Sequence, residues 1–163
     1  MPVFSVHVPQ VATGAVANTF TTLLGIKMAN TLGHRARLRK LLIAGGGGAP
    51  QDEQVAIRLT RTDNTAAGTN TAVNVNTIQK ADPASIASNV NAIGKTYTAE
   101  PTTKGTDLGS GGGLNARGVL QLDWTNDMAN APKIPSNTTL CIEGAPGQAV
   151  AVNLSMMAEW EEY

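Results

Sequence analysis

The chain contains few of the residues that nucleophilic catalysis requires. His7 and His34 are its only histidines, and Cys141 is its only cysteine. A serine or cysteine nucleophile needs a base within hydrogen-bond reach, and neither histidine stands in a sequence motif of known mechanics. Cys141 belongs to the apolar run 139–142. Because free cysteines in such runs pack like small apolar side chains, we expect a buried, inert thiol.

The acidic residues form no recognisable acid–base or metal-binding pattern. Glycoside hydrolysis needs two carboxylates held a few ångströms apart. The chain offers only scattered candidates for such a pair: Glu100, Asp107, Asp123 and Asp127. One cysteine and two distant histidines cannot form a closed zinc site by spacing. We therefore expect no enzyme, no bound metal and no cofactor.

Two glycine clusters raise the question of a phosphate-binding loop. The clusters are Gly45, Gly46, Gly47 and Gly48, and Gly111, Gly112 and Gly113. A P-loop needs a lysine and a serine or threonine directly after its glycines, but the first cluster is followed by Ala49 and Pro50. The second cluster leads into a predicted strand, whereas a dinucleotide fingerprint leads into a helix. We interpret both clusters as flexible loops that contact a partner.

The most distinctive charged feature is a row of arginines. Arg35, Arg37 and Arg39 alternate with apolar residues, so a strand would place all three on one face. Such a row could bind nucleic-acid phosphates, but no aromatic residues interleave it and the formal net charge of the chain is zero. Glu159 and Glu161 share a face of the final predicted strand. We therefore favour pairing between these arginines and glutamates, across strands or across a subunit boundary.

A period of two dominates the sequence around these residues. Nine segments alternate or are rich in β-branched residues, and glycine, proline or asparagine separates them. The segment 82–90 is the one helix candidate, with Asp82 as a possible N-cap and Pro83 at the first helical position. This pattern predicts an all-β fold, an antiparallel sandwich or barrel of eight to nine strands with at most one short helix.

Length and composition indicate one domain that functions in an assembly. The 163 residues fit a single domain, 1–163, and only 15% of them are charged. We expect an extended N-terminal arm over 1–18 and a long glycine-rich loop over 102–118. Low charge suits surfaces that become buried against another subunit. No signal peptide and no apolar run of about 20 residues is visible, so we expect a cytoplasmic product without membrane contact.

The whole chain resembles a family of small tailed-phage virion proteins. Four segments carry the resemblance: 14–22, 33–39, 54–61 and 145–162. It implies a jelly-roll-like decoration or cement protein that forms a homotrimer on the capsid surface and binds the major capsid protein. The alternative is a receptor- or glycan-binding sandwich module of a phage tail or fibre. The aromatic content of 4% disfavours that alternative, because sugar sites usually stack ligands on exposed rings.

Overall fold

The computed structural model shows an all-β protein, as expected from the period-two pattern. It describes residues 1–46, 52–66, 68–84, 86–105, 108 and 110–163, with the backbone alone at 110. Twelve strands lie in the described residues: β1 (Val3–Ala12), β2 (Thr21–Met28), β3 (Ala36–Gly45), β4 (Gln54–Asp63), β5 (Thr69–Val73), β6 (Gln79–Lys80), β7 (Val90–Ala99), β8 (Ser110–Asn115), β9 (Val119–Asp123), β10 (Lys133–Ile134), β11 (Thr138–Pro146) and β12 (Asn153–Glu162). Two short 3₁₀ helices, Asn64–Ala66 and Val75–Thr77, follow β4 and β5.

The strands form two antiparallel sheets that pack face to face. In sheet I the order is β10-β3-β12-β1-β6, with β9 also paired to β3. In sheet II the order is β5-β7-β2-β11-β4-β8. The apolar residues of both inner faces form one core cluster, which includes Phe4, Leu24, Leu41, Ile142 and Trp160. The fold is therefore a two-layer sandwich.

The strand pairing is that of a jelly roll. Working inward from the two ends of the chain, β1 pairs with β12, β2 with β11, β3 with β9 and β4 with β8. Two further pairs, β12 with β3 and β11 with β4, join these ribbons into the two sheets. Eight strands in this nested order constitute the jelly-roll topology that the resemblance implied.

The remaining strands extend this frame. Residues between β4 and β8 add β5 and β7 to the edge of sheet II beside β2, and β6 to the edge of sheet I beside β1. β10 adds two residues beside the start of β3. One insertion therefore contacts both layers and closes one side of the sandwich.

The final strand shows how the sequence pattern positions the core. Leu154, Met156, Ala158 and Trp160 of β12 are fully buried or nearly so, while Asn153 and the other intervening residues up to Glu159 are half-buried. Trp160 stacks on Phe4 of β1, with ring centroids 6.1 Å apart. Full burial of each large apolar side chain contributes about 1.5–3 kcal/mol.

Several expectations about local structure were wrong. The segment 1–18 is not a free arm, because β1 lies inside sheet I between β12 and β6. The segment 102–118 is not one long loop, because residues 110–115 form β8, which pairs with β4, while 106, 107 and 109 lie outside the described residues. The described residues of the segment 82–90, which are 82–84 and 86–90, form no helix: Asp82 Oδ1 accepts a hydrogen bond from the Ala84 N–H in a turn. Eight to nine strands was too few, since β6, β8 and β10 were not expected.

Candidate functional site

The arginine row pairs with the final strand within the same chain. Arg37 binds Glu161 through its guanidinium, with an Nε–Oε1 distance of 2.5 Å, and Arg39 Nε lies 3.6 Å from Glu159 Oε1. Both contacts join β3 to β12 within the chain. Arg35 lies just before β3 and is exposed, and its backbone exchanges two hydrogen bonds with that of Tyr163. It does not share the strand position of the other two arginines.

Arg37 also makes contacts beyond its glutamate. Its guanidinium lies 5.1 Å from the centroid of the Tyr163 ring, and Nη1 donates to the Met128 carbonyl at 3.3 Å. A neighbouring pair, Lys40 with Asp123 at 3.9 Å, continues the row on the outer face of sheet I. This face therefore carries charges that are balanced within the chain.

The structure describes two residues of the first glycine cluster and all of the second. Gly45 ends β3, and the N–H of Gly46 donates to the Asn153 carbonyl at 2.9 Å. Gly47 and Gly48 lie outside the described residues. Gly111, Gly112 and Gly113 belong to β8. Gly112 has φ of +98°, which favours glycine and coincides with the register shift opposite Ile57 of β4.

The structure brings one histidine to a serine. His7 Nε2 lies 3.2 Å from Ser155 Oγ on the exposed outer face of sheet I. A nucleophile and a base in contact are the first requirement for covalent catalysis, and a third group that orients the base is the second. Among the described contacts of His7, no acid takes that third position. The sequence could not indicate this pair, because the two residues are 148 positions apart.

The scattered carboxylates do not come together as a group. Asp123 accepts hydrogen bonds from the backbone and side chain of Thr125, which lower its pKa. Asp127 is exposed and binds the side-chain amide of Asn130. Asp107 lies outside the described residues. Among the described candidates, Glu100 shares a partner, Lys104, with a second carboxylate, that of Glu143.

Glu143 is the centre of an ion cluster that the sequence did not predict. We define the ion cluster as Arg58, Glu100, Lys104 and Glu143. The Glu143 side chain is fully buried on the outer face of sheet II. Arg58 Nε donates to its Oε2 at 2.7 Å, and Thr60 Oγ1 donates to the same atom at 3.1 Å. Lys104 Nζ contacts its Oε1. Both carboxylate oxygens therefore have hydrogen-bond donors.

Lys104 links Glu143 to a second carboxylate. Its Nζ lies 2.9 Å from Glu100 Oε2, and the Glu100 carboxylate also accepts hydrogen bonds from the backbone N–H and hydroxyl of Thr22. Burial alone would lower the pKa of Lys104, but the hydrogen bonds to Glu143 and Glu100 outweigh it and raise that pKa. Burial would likewise raise the pKa of Glu143, but hydrogen bonds from Arg58 and Lys104 lower it. Lys104 and Glu143 are therefore both charged at neutral pH.

The ion cluster fastens one segment across the outer face of sheet II. We call residues 97–105 the strap. The pairing of β7 with β2 stops at Lys95, and the next residue, Thr96, has φ of +51°. That left-handed conformation is rare for a β-branched residue and marks the point where the chain leaves β2. The strap then reaches the far side of β4. There the backbone of Lys104 pairs antiparallel with that of Thr62, and the Gly105 N–H donates to the Arg61 carbonyl.

Two glycines make room for the strap. Gly25 of β2 is opposite Gly94 of β7 in the register. A Cβ on Gly25 would lie 2.0 Å from the Tyr97 hydroxyl, and one on Gly94 would lie 2.4 Å from the Asn70 side chain. The absence of both side chains creates a trough that Tyr97 and Asn70 fill. These glycines are therefore required for close packing.

Cys141 lies beneath the strap. In the register it is opposite Gly25 on one side and Thr60 on the other, and its side chain is fully buried. Burial raises the pKa of its thiol to about 12. The expectation of a buried thiol is confirmed. Cys141 does not face the other sheet, however, because Leu140 and Ile142 occupy that face.

One end of the sandwich carries exposed apolar side chains. Leu32 is 95% exposed and Ile86 is 67% exposed. Ile86 and Met1 line an open groove of about 510 Å³. Glu162 holds this end together, because its carboxylate accepts hydrogen bonds from the Ser88 hydroxyl, the Asn89 backbone and side chain, and the Trp160 indole. We call residues 29–35, 81–84 and 86–89 the apolar end.

The large aromatic side chains are mostly inside. Trp160 is fully buried, and Trp124 and Tyr97 are partly buried, whereas Tyr163 is 41% exposed. Within the described residues, no group of three or more His, Cys, Asp or Glu side chains is arranged to hold a metal ion. In that same part of the chain, no helix has the length and apolar character that crossing a bilayer demands.

Comparisons of the chain with protein-family models, curated proteins and solved structures give no match.

Proposed function

We propose that the chain is a structural virion protein that decorates and stabilises an icosahedral phage capsid by binding major capsid protein subunits. The observation that carries this proposal is a jelly roll that combines an internally tied frame with an exposed apolar end. In this proposal the protein acts as a homotrimer on the capsid surface, and protein–protein contact is its whole activity.

The distribution of charge supports a contact protein. The ion pairs on the outer faces of both sheets are formed within the chain, so they fix strand register and leave little net field to attract phosphates. Exposed ion pairs each contribute less than about 1 kcal/mol. Binding energy would instead come from exposed apolar side chains such as Leu32 and Ile86, because burial of apolar surface drives most protein association.

The location of the apolar end supports docking by one end of the sandwich. Leu32 lies in the connection between β2 and β3, and Ile86 lies in the connection that leads to β7. Both connections are anchored to the frame, since the Ala29 N–H donates to the Asn89 carbonyl and Glu162 holds Ser88 and Asn89. A rigid platform loses little conformational entropy on binding.

Binding to capsids tests the proposal directly. Purified protein is mixed with capsids of the virus that encodes it, assembled without this protein, and the bound fraction is measured by sedimentation. We expect saturable binding, and at least a tenfold weaker affinity for Leu32→Asp and for Ile86→Asp. Val16→Asp is the matched control, because Val16 is 63% exposed at the opposite end of β2.

Light scattering of the free protein gives the oligomeric state. A trimer that binds capsids and loses affinity only through the apolar end supports the proposal. A monomer that fails to bind such capsids overturns it. Binding to a glycan array, or location at a tail tip in electron micrographs, would instead favour a receptor- or glycan-binding module.

A further inference from the structure

We propose that the strap is a latch that opens as a unit, without unfolding of the two sheets, and that Lys104 holds it closed. The latch covers the outer face of sheet II over Gly25, Cys141 and Glu143. This inference concerns the chain by itself and does not depend on the proposed function.

Besides its backbone contacts with β4 and β5, three side-chain contacts anchor the strap to sheet II. The Tyr97 hydroxyl fills the trough over Gly25, Glu100 accepts hydrogen bonds from Thr22, and Lys104 contacts Glu143. These anchors lie on β2 and β11, two strands in the centre of sheet II. The strap does not pair with these central strands, because the pairing of β7 with β2 ends at Lys95. Its first residues, 97–99, pair instead with the edge strand β5.

Few apolar contacts oppose opening of the strap. Of its residues, only Pro101 is buried, and the others are half-buried or exposed. The core cluster contains no residue from 97–105. Local opening is favoured where buried apolar area is small and where hydrogen bonds are near solvent. The frame beneath it is different, since every residue of β11 after Thr138 is buried.

Lys104 is the residue on which closure depends. Its Nζ contacts carboxylates on both the frame and the strap, namely Glu143 and Glu100, and its side chain is 19% exposed. Glu143 retains Arg58 and Thr60 when Lys104 is removed, so the frame keeps its own ion pair. Glu100 retains Thr22 alone. Loss of Lys104 therefore weakens the strap more than the frame.

Cys141 is a built-in reporter of the latch. It is the only cysteine in the chain, it is fully buried, and it lies between the strand positions of Gly25 and Thr60. A thiol reagent can reach it only when the strap moves or the protein unfolds. The two routes differ in their dependence on urea, since local opening exposes little surface and global unfolding exposes much.

The experiment measures the rate at which 4,4′-dithiodipyridine labels Cys141 across urea concentrations below the unfolding transition. In the wild type we expect a rate that does not change with urea. In Lys104→Met we expect that plateau to rise at least tenfold. Lys40→Met is the matched control, because Lys40 forms a half-exposed pair with Asp123 on the other sheet, and its plateau should stay within twofold of the wild type.

Hydrogen exchange of the wild type provides a second test that requires no variant. The Thr22, Thr102 and Gly105 amides, which bond to the strap or belong to it, should exchange together and faster than amides of β11. The proposal is overturned if wild-type labelling follows global unfolding at every urea concentration. It is also overturned if strap and β11 amides exchange at the same rate, or if Lys104→Met folds and labels like the wild type.

Discussion

Arg58 and Glu143 are directly opposite each other on β4 and β11, and Arg58 Nε donates to the buried Glu143 carboxylate at 2.7 Å. The guanidinium carbon of Arg58 also lies 4.1 Å from the centroid of the Phe20 ring. A carboxylate with no exposed surface is stable only when all its lone pairs have partners. Removing one partner of this pair would therefore leave a buried charge uncompensated.

Glu143→Gln should destabilise the protein by about 2–3 kcal/mol, because the substitution leaves Arg58 and Lys104 facing a neutral amide in a partly buried site. The free energy of unfolding is measured by urea denaturation. Glu159→Gln is the control, since Glu159 is 23% exposed and lies 3.6 Å from Arg39. That change should be smaller than about 1 kcal/mol. Equal losses for the two variants would contradict a special role for Glu143.

The contribution of Glu143 should depend on pH in the acid range. Hydrogen bonds from Arg58 and Lys104 hold the pKa of Glu143 below its ordinary value of 4.5, against the effect of burial. A carboxyl with a lowered folded pKa stabilises the protein above its unfolded pKa, and that stability is lost as pH falls through the folded pKa. The other titratable groups beside Glu143 are Glu100 and Cys141. Both are acids, so neither adds positive charge to the cluster.

Urea midpoints of the wild type and Glu143→Gln measure this dependence between pH 7 and pH 2. The difference between the two proteins should be constant above about pH 5 and should shrink below about pH 4.5. A difference that stays the same throughout would show that Glu143 acts through shape and not through charge.

Gly25→Ala should destabilise the fold by about 2 kcal/mol, because its new methyl group would lie 2.0 Å from the Tyr97 hydroxyl. In a Tyr97→Phe background the loss should be smaller, since the hydroxyl is the nearest atom. Gly113→Ala is the control: the nearest atom, the Val55 carbonyl oxygen, is 3.7 Å away. Thermal or urea unfolding of the wild type, Gly25→Ala, Tyr97→Phe and the double variant gives the coupling energy between the two positions. Additive effects would contradict the contact.

Arg37→Ala should cost about 1–2 kcal/mol, because it removes the pair with Glu161 and the contact with the Tyr163 ring. Arg35→Ala should change the unfolding free energy by less than about 0.5 kcal/mol, since the Arg35 side chain is exposed. The same unfolding measurement compares them. A larger loss for Arg35 would indicate a contact outside the chain, as at a subunit boundary.

Much of the fold could be predicted because alternation is a local property. The buried set on β12, from Leu154 to Trp160, follows directly from the period of two. The strand β8 was not expected, because glycines carry no side-chain pattern and its place depends on pairing with β4, more than fifty residues earlier in sequence. The position of β1 inside sheet I could not be predicted for the same reason, because its own sequence does not show that β12 and β6 flank it.

The two charged sites differ in the same way. Arg37 and Glu161 each belong to a visible one-face row, so their pairing could be inferred. The ion cluster could not, because Lys104 comes from an irregular segment and meets Glu143 only after the strap has crossed the sheet. One signal was available: Glu143 ends an otherwise apolar run in β11. A lone acid in such a run needs a buried partner.

The nested pairing of the jelly roll also constrains how the protein folds during its synthesis. β12 lies between β1 and β3 in sheet I, although about 110 or more residues separate it from both in the chain. During translation, β1 and β3 leave the ribosome long before the strand that joins them. The edges of β1 and β3 that pair with β12 must therefore remain without that partner until β12 emerges, so sheet I is completed only after this region has been synthesised.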